Sequence, residues 1–136
     1  RYDNCVAYCQ ENGLTDCVHF LGGRGDVPQI LKHVDAFIYA TDHDTFGIAV
    51  IEAIAAGLPT FVNDWEVMTE VTGNGKWASI YKTNDAEDFC GKFMDFVNNV
   101  ELYKKQAITN AQEVRDAYSI EKHIERLNEL YSHLHC

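Results

Sequence analysis

Residues 40–57 read Ala40-Thr-Asp-His-Asp-Thr-Phe-Gly-Ile-Ala-Val-Ile-Glu-Ala-Ile-Ala-Ala-Gly57, and their pattern predicts a strand end, a polar loop and a helix. The helix is expected from about Gly47 to Ala56, and it is apolar on every side except at Glu52. A helix that is apolar all round is typical of a protein interior. A carboxylate there is costly unless a partner satisfies it, so Glu52 is a candidate ligand-binding residue.

The loop before this helix carries a second carboxylate, Asp44, and a glycine, Gly47. A glycine allows a ligand to approach the backbone closely. The free N–H groups of a helix N-terminus attract anions, phosphate above all. The pattern therefore predicts that a phosphate group binds at Gly47 and the N–H groups that follow it. The alternative for Asp44 is an Asx turn or a helix cap, which are common uses of a loop aspartate.

These residues form the run Asp44-x-Phe46-Gly47-x-x-x-x-Glu52-Ala53-x-Ala55-x-Gly57-x-Pro59. The run resembles the motif of the group 1 family of retaining, nucleotide-sugar-dependent glycosyltransferases, in which seven residues separate two glutamates. Similar stretches lie upstream, at residues 18–31, and downstream, at residues 70–131, so the resemblance covers nearly the whole chain. It implies that residues 1–136 are one donor-binding domain, the C-terminal half of a GT-B fold. The first strand and the N-terminal acceptor domain are then missing from this sequence.

The resemblance also implies roles for the two carboxylates. Glu52 matches the second glutamate of the motif, which binds the ribose hydroxyls of the donor, and an ionised carboxylate accepts two hydroxyl donors at once. Asp44 stands where the family has its first glutamate, which contacts the donor sugar and stabilises the charge that develops at its anomeric carbon. Asp44 is therefore the catalytic candidate, although its side chain is one methylene shorter than that of glutamate.

Other donor contacts are expected in two loops. The resemblance implies that the nucleotide base lies against a glycine-rich segment, largely through its backbone, at Gly22, Gly23, Arg24 and Asp26. The alternative is that this segment is a flexible surface loop. Around the motif, Phe46 is expected to pack beneath the loop, while Gly47 and Ile48 face the phosphates. The resemblance implies that the family neutralises the diphosphate with an Arg and a Lys on the first strand and loop of this domain, which are expected to precede residue 1. No Arg or Lys lies between Lys32 and Lys76, the span that contains the motif. Neutralisation is then left to the helix dipole and Arg24.

Composition limits the classes of function. The 136 residues suffice for one globular domain, with 46% apolar residues. Eleven basic against 21 acidic residues give a net charge of -10, which argues against binding nucleic acid or anionic membrane. Five cysteines with no C-x-x-C motif indicate reduced thiols in a cytoplasmic protein, and a metal site at Cys5, Cys9 and His19 is the alternative.

Strands alternate with helices along the chain, which predicts an α/β fold with a Rossmann-like, doubly wound parallel sheet. The predicted strands are residues 17–21, 36–40, 59–63 and 77–81. The predicted helices cover residues 2–12, 26–34, 47–56, 65–71, 84–97, 102–114 and 119–134. In such a sheet, ligands bind at the carboxyl ends of the strands. Loops 22–26 and 41–46 each follow a predicted strand, so both are expected at that edge.

The expected function is the transfer of a sugar from a nucleoside diphosphate sugar with retained anomeric configuration and no obligatory metal ion or cofactor. The resemblance places the acceptor, a saccharide or a lipid-linked saccharide, on the missing N-terminal domain, so this domain alone is expected to bind without turnover. One alternative is a catalytically inactive nucleotide-sugar-binding or regulatory module. A second is a generic Rossmann-like interaction domain with no ligand.

Overall fold

Three short parallel strands form the sheet at the centre of the computed structural model, which describes residues 2–133. The elements are α1 (Tyr2–Glu11), α2 (Val27–Leu31), β1 (Phe37–Tyr39), α3 (Ile48–Ala55), β2 (Thr60–Asn63), α4 (Glu66–Val71), β3 (Ser79–Tyr81), α5 (Ala86–Asn98), α6 (Val100–Ala117) and α7 (Ile120–His133). Helices cover both faces of the sheet, which confirms the predicted doubly wound α/β class. No helix in the described range is long and apolar enough to cross a membrane.

Strand β2 lies in the middle of the sheet, between β1 and β3. All four of its residues are buried because both of its faces are covered, as is typical of parallel sheets. Successive side chains of β2 point to opposite faces of the sheet. Phe61 packs among the aromatic rings of α5 and β3, whereas Val62 packs against α3 and α4. The register pairs Phe61 with Ile38 of β1 and with Ser79 of β3.

Helix α6 connects the two faces by passing along the amino-terminal ends of the strands. Near its start, the ring of Tyr103 lies 5.2 Å from that of Phe96 on α5. Near its end, Val114 is wholly buried against α3. The guanidinium of Arg115 donates a 2.8 Å hydrogen bond to the carbonyl of Ala55, the last residue of α3. Helix α3 is therefore fixed at its carboxyl end by α6, and the opposite end of α3 lies at the other edge of the sheet.

The predicted strand at residues 17–21 is wrong. The segment has no regular structure, and Val18, Phe20 and Leu21 are exposed. An apolar run becomes a strand only when a neighbour accepts and donates its backbone hydrogen bonds. In the part of the chain that the structure describes, β1 pairs only with β2, so no strand lies beside this segment.

Two apolar surfaces are exposed at the edges of the domain. Ile38 of β1 is 51% exposed, so this strand is covered on one face only. The apolar stripe of α7 is exposed at Ile120, Ile124 and Tyr131, and Leu134 lies outside the described residues. Ser119 caps the start of α7, because its hydroxyl oxygen accepts a hydrogen bond from the N–H of Lys122.

Candidate functional site

The loop between β1 and α3 folds around the carboxylate of Asp44. Its Oδ1 accepts hydrogen bonds from the N–H groups of Phe46 and Gly47, both at 2.9 Å. Its Oδ2 accepts a 2.8 Å bond from the hydroxyl of Tyr39. These bonds, those of the two backbone groups first, lower the pKa of Asp44 to about 2. Asp44 therefore forms the Asx turn that was predicted as the alternative to a catalytic role. Its carboxylate stays ionised at physiological pH.

Gly47 is required by the packing of the chain. Its φ of 70° lies in the left-handed region, and a Cβ at this position would lie 2.9 Å from Cε of Met68 and 3.2 Å from Cγ2 of Val71. Both neighbours belong to α4 and are buried. The expectation that Gly47 leaves room for a ligand is therefore wrong. The missing side chain leaves room for α4, and the glycine itself is buried.

Helix α3 has a buried side and an open side, so the prediction that it is buried all round is wrong. The buried residues are Val50, Ile51, Ala53 and Ile54. The residues exposed to solvent are Ile48, Ala49, Glu52 and Ala56, which share the opposite side. The sequence pattern concealed this division because alanine and isoleucine occur on both sides. Glu52 thus carries no burial cost, and its carboxylate is accessible to a ligand.

An open cleft of about 740 Å³ lies between α3, the end of α4 and α7. Three of the predicted donor-binding residues line it, namely Phe46, Ile48 and Glu52. Glu70, His123 and Arg126 line it as well. No role was predicted for the two basic residues, although both fall on the helix predicted at residues 119–134. Helical spacing places them near each other, but only the packing of α6 shows which side of α7 faces α3.

Two backbone donors remain at the start of α3. Within residues 2–133, the N–H groups of Ile48 and Ala49 have no acceptor, whereas those of Phe46 and Gly47 are taken by Asp44. A helix leaves its first N–H groups without partners inside the helix, and they carry partial positive charge. Of the N–H groups predicted to face a phosphate, that of Gly47 is therefore occupied, and those of Ile48 and Ala49 remain available.

The glycine-rich segment does not join this site. Its predicted members, Gly22, Gly23, Arg24 and Asp26, are all exposed, and none of them lines the cleft that contains Glu52. The guanidinium of Arg24 forms two hydrogen bonds, of 2.8 and 2.6 Å, with the carboxylate of Asp26. The guanidinium of Arg24, which was expected to face the diphosphate, is therefore paired with Asp26. A position beside loop 41–46 would also require a strand at residues 17–21, which does not form.

The alternative of a metal site at Cys5, Cys9 and His19 is wrong. Residues 2–133 bring together no group of three or more His, Cys, Asp or Glu side chains suited to a metal ion. Cys5 and Cys17 are exposed free thiols, and Cys9 is a buried free thiol.

The sheet is parallel, and the first turn of α3 is open near its carboxyl edge. These features place the chain in the class of doubly wound α/β domains, in which ligands generally bind at the carboxyl ends of the strands. The chain belongs to the family of group 1 glycosyl transferases, whose model matches residues 2–114. The match confirms the resemblance drawn from the motif.

Curated relatives agree with this assignment. The chain is 32% identical over 99 residues, 71% of its length, to N,N'-diacetylbacillosaminyl-diphospho-undecaprenol alpha-1,3-N-acetylgalactosaminyltransferase of Campylobacter jejuni, covering 26% of that protein. It is 28% identical over 109 residues, 79% of its length, to mannosylfructose-phosphate synthase of Agrobacterium fabrum, covering 24% of that protein. The chain thus spans about a quarter of the length of these relatives.

Solved structures share the fold at low sequence identity. The crystal structure of HepE of Anabaena in complex with UDP and glucose matches 96% of this chain with a TM-score of 0.84 and 17% identity. Sucrose-phosphate synthase from Thermosynechococcus elongatus matches 97% with a TM-score of 0.83 and 16% identity. The chain covers 36% and 34% of those two proteins, respectively.

Proposed function

We propose that this chain is the donor-binding domain of a glycosyltransferase that takes its sugar from a nucleoside diphosphate sugar. The open first turn of α3 is the observation that carries the proposal. Among the residues that the structure describes, nothing accepts a hydrogen bond from the first two N–H groups of this turn, and an accessible carboxylate, Glu52, lies one turn further on. Donors for phosphate and acceptors for hydroxyl groups thus lie side by side on one exposed surface, as a nucleoside diphosphate requires.

Each part of the donor has a proposed partner in this surface. The N–H groups of Ile48 and Ala49 receive a phosphate oxygen, and Glu52 accepts hydrogen bonds from the two ribose hydroxyls. Arg126, on the opposite side of the cleft, supplies positive charge to the diphosphate in place of Arg24, which is paired with Asp26. The cleft of about 740 Å³ is large enough for a ligand of this size.

Asp44 is proposed to face the donor sugar. A carboxylate has about four lone-pair positions, and the three hydrogen bonds to Asp44 leave one of them for a ligand. Its pKa of about 2 keeps a negative charge beside the anomeric carbon, where positive charge develops as the leaving diphosphate departs. We propose that transfer retains the anomeric configuration and needs no obligatory metal ion, because N–H groups and Arg126 neutralise the diphosphate.

The proposed whole protein is cytoplasmic and carries its acceptor, a saccharide or lipid-linked saccharide, on an N-terminal domain. The name of the Campylobacter relative includes a diphospho-undecaprenol acceptor, which supports the lipid-linked class. The net charge of -10 is unfavourable for direct contact between this domain and anionic membrane or nucleic acid.

A second candidate is a module that binds a nucleotide sugar without transferring it. The observation that favours it is the use of Asp44 as a cap, since this holds the carboxylate close to its own backbone. Single-turnover assays of the full protein with radiolabelled donor separate the two, because only a transferase releases the sugar to an acceptor or to water.

Calorimetric titration of the full protein with UDP, GDP and ADP, each alone and as its glucose conjugate, tests the proposed function. We expect one base to bind and to raise the melting temperature. A ligand at 100 times its Kd stabilises the folded state by about 2.7 kcal/mol. Absence of heat and of a thermal shift for every nucleotide would overturn the proposal in favour of an interaction domain without this ligand.

A further inference from the structure

The buried side chain of Asn63, the last residue of β2, joins the loop after β1 to the loop after β3. It is only 3% exposed. Its Oδ1 accepts a 3.0 Å hydrogen bond from the N–H of Thr41, and its Nδ2 donates a 2.7 Å bond to the carbonyl of the same residue. Both backbone groups of Thr41 are thus held by one side chain. An amide side chain offers both a donor and an acceptor, and these two partners fix which end of the amide is oxygen.

The second proton of the Asn63 amide extends the contact to the third strand. Nδ2 also donates a 2.8 Å bond to the hydroxyl oxygen of Thr83. That hydroxyl donates its own proton to Oδ1 of Asp64 at 2.6 Å, and the N–H of Thr83 donates to the same oxygen at 2.7 Å. Asp64 is therefore the charged end of a chain of hydrogen bonds that crosses the ends of all three strands. The hydrogen bonds from Thr83 also lower the pKa of Asp64, so this end stays ionised.

The opposite end of this chain of hydrogen bonds lies in the loop that carries Asp44. The hydroxyl oxygen of Thr41 accepts a 3.0 Å bond from the N–H of His43, and Asp44 then closes the turn onto Phe46 and Gly47. The loop is thus fixed at its start by Asn63 and at its end by the packing of Gly47 against α4. An open depression of about 340 Å³ lies over the same strand ends, and Asn63, Thr41 and Thr83 line it.

We propose that Asn63 is a positioning residue for donor binding, which holds loop 41–46 against the ends of β2 and β3 so that Asp44 and the first turn of α3 face the donor together. This inference rests on the proposed function. Without the amide, the start of the loop loses both backbone partners while α3 stays anchored by the core. Donor binding then has to order the loop, and that ordering weakens affinity.

The test compares Asn63→Ala with Thr60→Val in the full protein. Thr60 lies on the same strand and is equally buried, but its hydroxyl bonds to the carbonyl of Leu58 at the opposite edge of the sheet. Both variants lose a buried hydrogen bond and are expected to melt earlier. In calorimetric titration with UDP and GDP, Asn63→Ala is expected to bind the preferred nucleotide roughly 5- to 100-fold more weakly, whereas Thr60→Val binds within about twofold of the wild type.

A second variant and a second measurement cover the case in which Asn63→Ala does not fold. Thr83→Val removes one partner of the amide and is expected to weaken nucleotide binding by about 2- to 10-fold. In nucleotide-free protein, amide hydrogen exchange at Thr41 and His43 is expected to accelerate in Thr83→Val, and not in Thr60→Val. Unchanged exchange and unchanged affinity in Thr83→Val would overturn the positioning role, as would equal loss of affinity in Thr60→Val. If the wild type binds no nucleotide, the proposed function fails first and the inference fails with it.

Discussion

The hydroxyl of Tyr39 donates a 2.8 Å hydrogen bond to Oδ2 of Asp44, five residues further along the chain. The same contact raises the pKa of Tyr39, because loss of its proton would place two negative charges side by side. The last residue of β1 and the loop that follows it are thereby coupled. Because Oδ1 of Asp44 caps the turn into α3, one carboxylate connects the strand, the loop and the helix that form the candidate site.

The lowered pKa of Asp44 predicts a dependence of stability on acid. The folded state holds the pKa at about 2, below the ordinary value of 3.8, so the ionised carboxylate favours folding. This contribution is complete above about pH 4 and is lost as the pH falls towards 2. In Asp44→Asn, the urea midpoint is expected to fall less steeply between pH 5 and pH 2 than in the wild type.

The matched control for this measurement is Asp42→Asn. Asp42 lies in the same loop and is exposed, and it accepts none of the three bonds that hold Asp44. Its variant should reproduce the acid dependence of the wild type. Parallel curves for the wild type and Asp44→Asn would show that the bonds to Asp44 do not persist in solution.

Gly47→Ala is expected to destabilise the domain, because alanine strains the left-handed backbone and its Cβ would approach Met68 and Val71 within 3.2 Å. The backbone term alone costs about 1–2 kcal/mol, and the buried α4 side chains have to shift as well. Gly91→Ala is expected to change the stability of the domain in the opposite direction. Gly91 lies within α5 with nothing near its added Cβ, so alanine should stabilise the helix by about 0.5–1 kcal/mol. Urea unfolding of both variants measures the difference, and a loss of less than about 0.5 kcal/mol in Gly47→Ala would contradict the packing.

Phe61→Ala is expected to cost about 3–5 kcal/mol, the range for removing a buried aromatic ring. Phe61 is fully buried, and its ring centre lies 5.0 Å from that of Tyr81 and 5.3 Å from that of Phe96. Phe46→Ala should change the free energy of unfolding by less than about 0.5 kcal/mol, because Phe46 is 56% exposed. Denaturant titration compares the two. Similar losses in both variants would mean that the aromatic cluster around Phe61 is not the core on that side of the sheet.

The class of fold was predictable because, for β2 and the helices around it, the local sequence pattern and the packing of distant segments favour the same structure. Phe61 and Val62 form the apolar centre of a short segment, residues 59–63, and the structure covers both faces of β2. Residues 17–21 are more apolar, but a strand also needs a partner, and a sequence pattern does not show whether one is adjacent. The pattern of helix α3 likewise concealed its open side, since apolar residues lie on both sides of Glu52.

The candidate site was predictable where chemistry is local and missed where it depends on packing. Asp44, Ile48 and Glu52 follow from one loop and one helix. Asn63 comes from another strand, and nothing in the sequence distinguishes an asparagine at a strand end from an ordinary turn residue. Arg126 reaches the same cleft from α7 only because α6 turns the chain back across α3.

Glu52→Gln separates a ligand-binding carboxylate from a structural one. Glutamine keeps the shape of the side chain but replaces one oxygen acceptor with an amide donor, which faces a ribose hydroxyl less favourably than an ionised oxygen does. Nucleotide affinity in the full protein is expected to fall by about 1–3 kcal/mol, or roughly 5- to 150-fold in Kd. The free energy of unfolding should change by less than about 0.5 kcal/mol, because Glu52 is exposed on α3. Glu87→Gln on α5, which is exposed and outside the cleft, is the control and should leave the Kd unchanged. If calorimetry gives equal Kd values for the wild type and Glu52→Gln, the ribose contact does not exist and the donor lies elsewhere on the domain.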